Sequence, residues 1–324
     1  MTTMTLAKAL SAGLRRVLDE NPKSLLIGED IGRLGGVYRV TEGLMADFGT
    51  ERVVDSPLAE SGIIGTSIGM SLRGYAPIAE IQFDGFVFPG FNQITTQLAK
   101  MRARSEGRFG APVVVRIPYG GGIGSIEHHS ESPEALFAHT PGLRIITPSN
   151  PNDAYWMIQQ AAACQDPVIF FEPKRRYWLK GEVDTETSAP DAFSAQVIRE
   201  GSDATIVTYG PLVPVALAAA EAATEDGRSI EVIDLRSISP IDFDTVIASV
   251  QKTGRLIVTH EAPTFGGIGG EIAARVSERA FLSLEAPVIR VGGFHMPYPV
   301  AKVEEQYLPD IDKLLDALDR SFEY

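Results

Sequence analysis

The chain has 324 residues, 29 of them lysine or arginine and 42 aspartate or glutamate, for a formal net charge of -13 at pH 7. That balance excludes nucleic acid as the main partner, since phosphate binding needs a clustered basic surface and the counterion release that goes with it. The length suffices for two α/β domains with cores of their own. The single cysteine, Cys164, excludes an internal disulfide and a multi-thiolate metal site, and it fits a reducing compartment.

In chain order, an amphipathic helix comes first, with Leu6, Leu10, Leu14 and Val17 on one face and Thr5 as its cap. It lacks the charged start and continuous apolar core of a signal peptide. No run approaches the length that crosses a bilayer, so a cytoplasmic protein with no membrane partner is expected. Short apolar runs then alternate with helical patterns. Strands are expected at 25–27, 76–83, 112–117, 144–147 and 168–171, and helices at 61–72, 91–104 and 152–163. Such alternation marks a parallel sheet with helices on both faces. The periodicity lapses over 174–190, which turns acidic and threonine-rich. A second series follows, with strands at 204–209, 230–235, 255–260 and 288–291 and helices near 213–225, 244–251 and 270–281. The expected fold is therefore α/β with two doubly wound domains, at 1–180 and 198–324, joined by a linker at 181–197.

The stretch 53–92 carries the sharpest chemistry. It sets Glu60 at the start of a small, Gly-rich helix and follows it with an aromatic strand end. A carboxylate in a semi-apolar pocket beside aromatic faces suits the base and stacking plate of a flat heteroaromatic cofactor, and the combination points to thiamine diphosphate. That cofactor becomes reactive when a carboxylic acid hydrogen-bonds N1′ of its aminopyrimidine, and burial would raise the pKa of such a glutamate so that it can share a proton. The same residue is also explained as an acid stabilised by a helix N-terminus. Phe83, Phe86, Phe88 and Phe91 span a strand end, a turn and a helix start. Their rings can wall a pyrimidine, although core packing accounts for at least two of them and Phe86 is the foremost exception.

Downstream, Gly120, Gly121, Gly122 and Gly124 form a glycine-rich loop, expected to be mobile, at a strand's carboxyl end, where open α/β sheets bind ligands. His128 and His129 follow and can orient or protonate an anionic group near neutral pH; a solvent-facing or capping pair is the alternative. Asp166, before Pro167, has a turn-forming role as its default. Lys174, Arg175 and Arg176 form the one sharp basic cluster, which reads first as a solvated face. His260 and Glu261, with Gly266, Gly267, Gly269 and Gly270, either bind an anion at a helix N-terminus or pack tightly, and the second reading is preferred.

Taken together, P-L-A-E-S-G-I-I-G, A-E-I-Q-F-D-G-F-V-F-P-G-F-N, H-S-E-S-P-E-A-L-F-A-H, V-I-F-F-E-P-K, E-V-I-D-L-R-S-I-S-P and T-G-R-L-I-V-T-H-E-A-P resemble the beta subunit of thiamine-dependent 2-oxoacid dehydrogenases, over about residues 5–309. Within that family the chain looks most like the branched-chain subunit, with pyruvate and acetoin dehydrogenase beta subunits close behind. The resemblance implies a pyrimidine-binding domain followed by a transketolase C-terminal-like domain. It implies Glu60 as the cofactor-activating acid and Phe86, with Phe83, as the ring contact; branched-chain relatives tend to have tyrosine at the position of Phe86. It also implies His129 as the histidine acting in acyl transfer to lipoyl. Some relatives bind potassium at a turn matching A-A-A-C-Q-D-P. Asp166 fits as a ligand there, while Cys164 stands where an aspartate is expected, and a neutral thiol suits a hard cation poorly.

The family also holds the diphosphate through magnesium by a motif resembling G-D-G with a later asparagine, and no Gly-Asp-Gly occurs here. An alpha subunit is therefore expected to supply those ligands in an α2β2 assembly. The second domain would serve dimerisation and docking to a dihydrolipoamide acyltransferase core, whose lipoyl domain accepts the acyl group. The expected reaction is oxidative decarboxylation of branched-chain 2-oxoacids of the 3-methyl-2-oxobutanoate type. A non-catalytic scaffold subunit is the alternative of a different class.

Overall fold

In the computed structural model, which describes residues 1–187 and 189–324, the chain folds around two mainly parallel sheets. Ser188, within the expected linker, lies outside the described residues. The first half supplies strands β1 (Thr2–Thr5), β2 (Ser24–Gly28), β3 (Val53–Asp55), β4 (Ala76–Glu80), β5 (Val114–Tyr119), β6 (Arg144–Ile146), β7 (Val168–Pro173) and β8 (Lys180–Val183). The second supplies β9 (Gln196–Arg199), β10 (Ala204–Thr208), β11 (Ile230–Asp234), β12 (Ser237–Ser239), β13 (Leu256–Pro263) and β14 (Ile289–Gly293).

The seven-stranded sheet runs β12-β6-β7-β5-β4-β2-β3 and the five-stranded sheet β14-β13-β10-β11-β9. Within these two sheets, among the described residues, only the edge strands β12 and β9 are antiparallel to their neighbours. β2, β5 and β7 are buried at every position, as strands covered on both faces must be. The first helix, Leu6–Glu20, buries Leu6, Leu10, Leu14 and Val17, and its Thr5 side chain accepts the Lys8 N–H at 3.3 Å. This is the face and cap that the periodicity indicated.

Several elements differ from expectation. Residues 91–104 are not one helix. A 3-10 helix, Asp84–Gly90, leads through an α-helical Phe91 and Asn92 into a π-helical stretch, Gln93–Gln97, then a 3-10 turn, Leu98–Lys100, and α-helix resumes at Met101–Arg104. Pro89 lies inside the first piece, and the hydroxyls of Thr95 and Thr96 donate to the carbonyls of Phe91 (2.9 Å) and Asn92 (2.7 Å), crowding the ladder. Part of the expected linker is ordered as strand: β8 pairs antiparallel with β1, and β9 begins at Gln196. β12, from the second half of the chain, completes the edge of the first sheet, so the halves interlock. A closing helix, Ile311–Phe322, capped by Asp310 and burying Leu314, Ala317 and Leu318, covers the second sheet and has no counterpart in the sequence reading. Among the described residues no helix is long and apolar enough to cross a membrane.

Candidate active site

The first sheet changes winding direction between β2 and β4. The chain leaves β2 for β3 on one side and returns to add β4 on the other. Ligands of open α/β sheets sit beyond the carboxyl ends of strands at such a switch point. Here Glu29 follows β2, Glu60 opens the helix Glu60–Leu72 after β3, Phe83 and Phe86 follow β4, and the glycine-rich loop with His128 and His129 follows β5.

Glu60 lies in the first turn of its helix, where partial positive charge favours a carboxylate. It is half-buried, and Leu58 just before it is 68% exposed, so the deep burial expected of Glu60 is not supplied by this chain. The physical reason is its place: the helix follows β3, the edge strand of the sheet, which has a neighbour on one side only. Burial first, then the charges of Asp30 and Glu60, pushes the Glu29 carboxyl above its ordinary range. Gly90, at the end of the 3-10 helix Asp84–Gly90, packs on the Glu60 backbone; a Cβ there would lie 3.2 Å from the Glu60 carbonyl oxygen.

The four phenylalanines divide. Phe83 and Phe86 lie edge to face, 5.7 Å apart between centroids, and His129 stands against both at 4.3 and 5.2 Å. Phe91 packs on Phe137 in the core at 5.3 Å. Phe88 is 48% exposed and lines a mainly apolar cavity of about 370 Å³ between the domains, with Leu136, Phe265 and Met296. The His128 ring lies tilted against that of His129, 4.2 Å between centroids, and against Phe86 at 5.9 Å. Desolvation, then the charges of His128 and Lys174, holds the His129 imidazole below its ordinary pKa, and its Nδ1 is buried without a partner. A neutral imidazole with an unspent nitrogen beside two aromatic rings can take or give a proton near neutral pH.

The glycine-rich loop, expected to be mobile, is instead fastened to the second domain. Glu261 accepts the Gly121 N–H at 3.0 Å, and Glu304 accepts those of Gly122 and Gly124 at 2.8 and 2.9 Å while also taking the Tyr298 hydroxyl at 2.7 Å. A Cβ on Gly121 would lie 1.8 Å from the Tyr298 hydroxyl oxygen, so only glycine lets this loop reach its anchors.

The basic cluster is not a solvated face. Lys174 is fully buried and paired with Asp84, Arg175 donates to Glu261 at 3.1 Å, and Arg176 donates twice to the Pro211 carbonyl at 2.9 and 2.7 Å. Asp166 has its carboxylate engaged by Arg102 and Arg144, which neutralise the charge that a potassium ion would need. His260 is buried, with Nδ1 2.9 Å from the Ala262 carbonyl and Nε2 accepting the Gly269 N–H at 3.2 Å, and burial brings its pKa down to about 4. Asp84, Glu29 and the anchor Glu304 went without a role in the sequence reading, and Glu261 entered it only beside His260, as part of an anion-binding or tightly packed turn, not as an anchor of the glycine-rich loop. The signal for Asp84 was its place between Phe83 and Phe86; for the anchors, which lie far off in the chain, there was none.

The chain matches the family described as the transketolase pyrimidine binding domain over residues 2–178 and the transketolase C-terminal domain over residues 194–314. It is 61% identical to a pyruvate dehydrogenase E1 component subunit beta of Leifsonia xyli subsp. xyli over 322 residues, covering 99% of this chain and 96% of the relative. It is 50% identical to a 3-methyl-2-oxobutanoate dehydrogenase subunit beta of Mycobacterium tuberculosis over 319 residues, covering 98% and 92%. Among solved structures, a split gene transketolase described as an inactive beta4 tetramer superposes with a TM-score of 0.82 at 22% identity, covering 99% of this chain and 98% of that one, a likeness of fold.

Proposed function

The chain belongs to the E1 beta subunits of 2-oxoacid dehydrogenases, built from transketolase pyrimidine-binding and C-terminal domains, and on that premise we propose that its first-domain crevice activates thiamine diphosphate for oxidative decarboxylation of a 2-oxoacid. The observation that carries this reading is the packing of Phe83, Phe86 and His129 beyond the switch point of one sheet, with Glu60 opening the neighbouring helix and Gly90 of the aromatic segment lying on its backbone. When bound, the cofactor supplies the electron sink for loss of carbon dioxide.

The residues present fit its pyrimidine end. Glu60, at the positive end of a helix, would hold a proton at N1′, and a partner subunit closing over it would complete its desolvation. Phe83 and Phe86 offer apolar ring faces and edges to a flat heterocycle. His129, kept neutral, would move a proton as the acyl group passes to lipoyl. Among the described residues no three His, Cys, Asp or Glu gather as metal ligands would. Because the sequence carries no Gly-Asp-Gly, the proposal gives magnesium and the diphosphate to an alpha subunit in an α2β2 assembly, with the acyltransferase core as acceptor. Asp166, held between arginines, does not enter this proposal as a potassium ligand.

The relatives differ in substrate. The higher identity to a pyruvate dehydrogenase subunit favours pyruvate, and the phenylalanine at position 86 agrees with it. A branched-chain 2-oxoacid is the second reading, supported by the 3-methyl-2-oxobutanoate dehydrogenase relative. The test is kcat/KM of the chain reconstituted with its alpha subunit on pyruvate and on 3-methyl-2-oxobutanoate. A preference of about tenfold or more for pyruvate is expected, and the reverse preference moves the assignment to the branched-chain reaction. Turnover of neither acid nor of acetoin would remove the enzymatic reading and leave the scaffold.

A further inference from the structure

We propose that the buried Lys174–Asp84 ion pair is a positioning device that fixes His129 against the Phe83 and Phe86 rings; the proposal rests on the role given to His129 above. Lys174 is the first residue after β7 and has no exposed surface, and Asp84 is 1% exposed. The ammonium donates to Asp84 Oδ1 and also to the His129 carbonyl oxygen at 2.6 Å. The other oxygen of Asp84, Oδ2, accepts the Glu131 N–H at 2.9 Å. One ion pair thus holds a main-chain group on each side of Ser130, and with them the backbone that carries His129.

The same pair also lies beside the aromatic plate. Asp84 lies between Phe83 and Phe86 in sequence, and the Lys174 Nζ stands 5.4 Å over the Phe83 ring. A second contact locks the two pieces from the other side: a Cβ on Gly85 would lie 2.4 Å from the His128 carbonyl oxygen, so the histidine segment rests directly on the 3-10 helix.

The other buried ionic group of this sheet makes the contrast. Arg116 joins Glu80 and Glu172 at 2.6 Å each, but all three sit on strands already set by ladder bonds. Lys174 and Asp84 instead bind a segment that no ladder holds. Since buried pairs add little net stability over apolar packing, the use left to this one is to specify geometry.

Single substitutions would strand a buried charge and risk unfolding, so the test uses Lys174→Met with Asp84→Asn, which removes both charges together. The double variant is reconstituted with its alpha subunit, and the active fraction is titrated with thiamine diphosphate. Acyl transfer to lipoyl domain is then compared with decarboxylation coupled to an artificial electron acceptor. Transfer is expected to fall about 10- to 100-fold, the scale of a misplaced group, and decarboxylation by at least tenfold less. Combined with His129→Ala, the double variant is expected to cost no further transfer, because it acts through that residue. If His129→Ala leaves transfer intact, the role of His129 falls and the proposal with it. If His129→Ala is selective but the double variant harms both steps equally or not at all, or the losses multiply, the positioning proposal alone is overturned. Should the double variant fail to assemble, Lys174→Arg serves; it keeps the charge but moves the donors, so selective loss of transfer supports the proposal and an equal effect on both steps overturns it.

Discussion

The carboxyl end of β2 to β5 in the first domain and that of β13 in the second are built from the same letters, histidine, glutamate and glycine, and use them in opposite ways. In the first, Glu60 stays half-exposed and the His129 Nδ1 has no partner. In the second, His260 spends both ring nitrogens, one on the Ala262 carbonyl and one on the Gly269 N–H at the start of the helix Ile268–Ala280, and Glu261 is spent on Gly121 and Arg175. A polar group satisfied inside the fold contributes to stability, whereas one held unsatisfied beside a crevice is available for chemistry. Residue type alone therefore does not separate a catalytic end of a sheet from a structural one; the hydrogen-bond account does.

The sharpest break of that contrast is Glu60→Gln. It should raise the barrier of the reconstituted complex by about 3 to 4 kcal/mol, the scale of one key electrostatic group, with no comparable fall in melting temperature. Equal turnover in the assembled complex would move the first crevice into the structural class.

The converse substitution is His260→Ala. It leaves a cavity and an unpaired helix N–H, with a loss of stability of about 2 to 4 kcal/mol, while kcat per folded active site stays within about twofold. The pH dependence sharpens it. The folded pKa of His260, about 4, lies below its ordinary 6.5, so the unfolded chain binds the proton first. The contribution of His260 is present above about 6.5 and is lost as pH falls toward 4, so the gap between wild type and variant should narrow over that window. A gap that widens on acidification would contradict the neutral, satisfied histidine.

A smaller effect of opposite sign is expected at the contact between the domains. Glu134 accepts the Tyr209 hydroxyl at 2.7 Å, and burial pushes its carboxyl up to about 7. The folded state therefore holds a proton that the unfolded chain releases near 4.5, and this stability is lost as pH rises through 7. Glu134→Gln should be close to neutral at pH 5 and gain of order 1 to 2 kcal/mol relative to wild type by pH 8. Denaturant midpoints at the two pH values check it, and a gain confined to pH 5 would contradict the sign.

Much of the architecture was legible in the chain because it rests on local pattern. The alternating apolar runs marked the buried parallel strands, and the face of the helix Leu6–Glu20 followed from its spacing. The unread parts depend on distant partners. β12 is a three-residue strand whose place is fixed only by β6, some ninety residues earlier. Lys174 looked like part of a surface charge run because its burial depends on Asp84, equally far away in sequence. The π-helical turn at Gln93–Gln97 departs from the helical pattern through hydroxyls that bond back to the main chain. In the site, Glu60, Phe83, Phe86 and His129 were named from motif and residue type. The tether of the glycine loop to Glu261 and Glu304 was not, since it forms only when the second domain folds against the first.

The most direct test of the central claim is calorimetric titration of thiamine diphosphate with magnesium into this chain alone and into its mixture with the cognate alpha subunit. The first-domain crevice is read as the pyrimidine half of a shared site, which predicts tight binding only in the mixture, with affinity reduced there by Glu60→Gln. Tight binding to the isolated chain would contradict it, because a complete cofactor site would then lie within this one polypeptide.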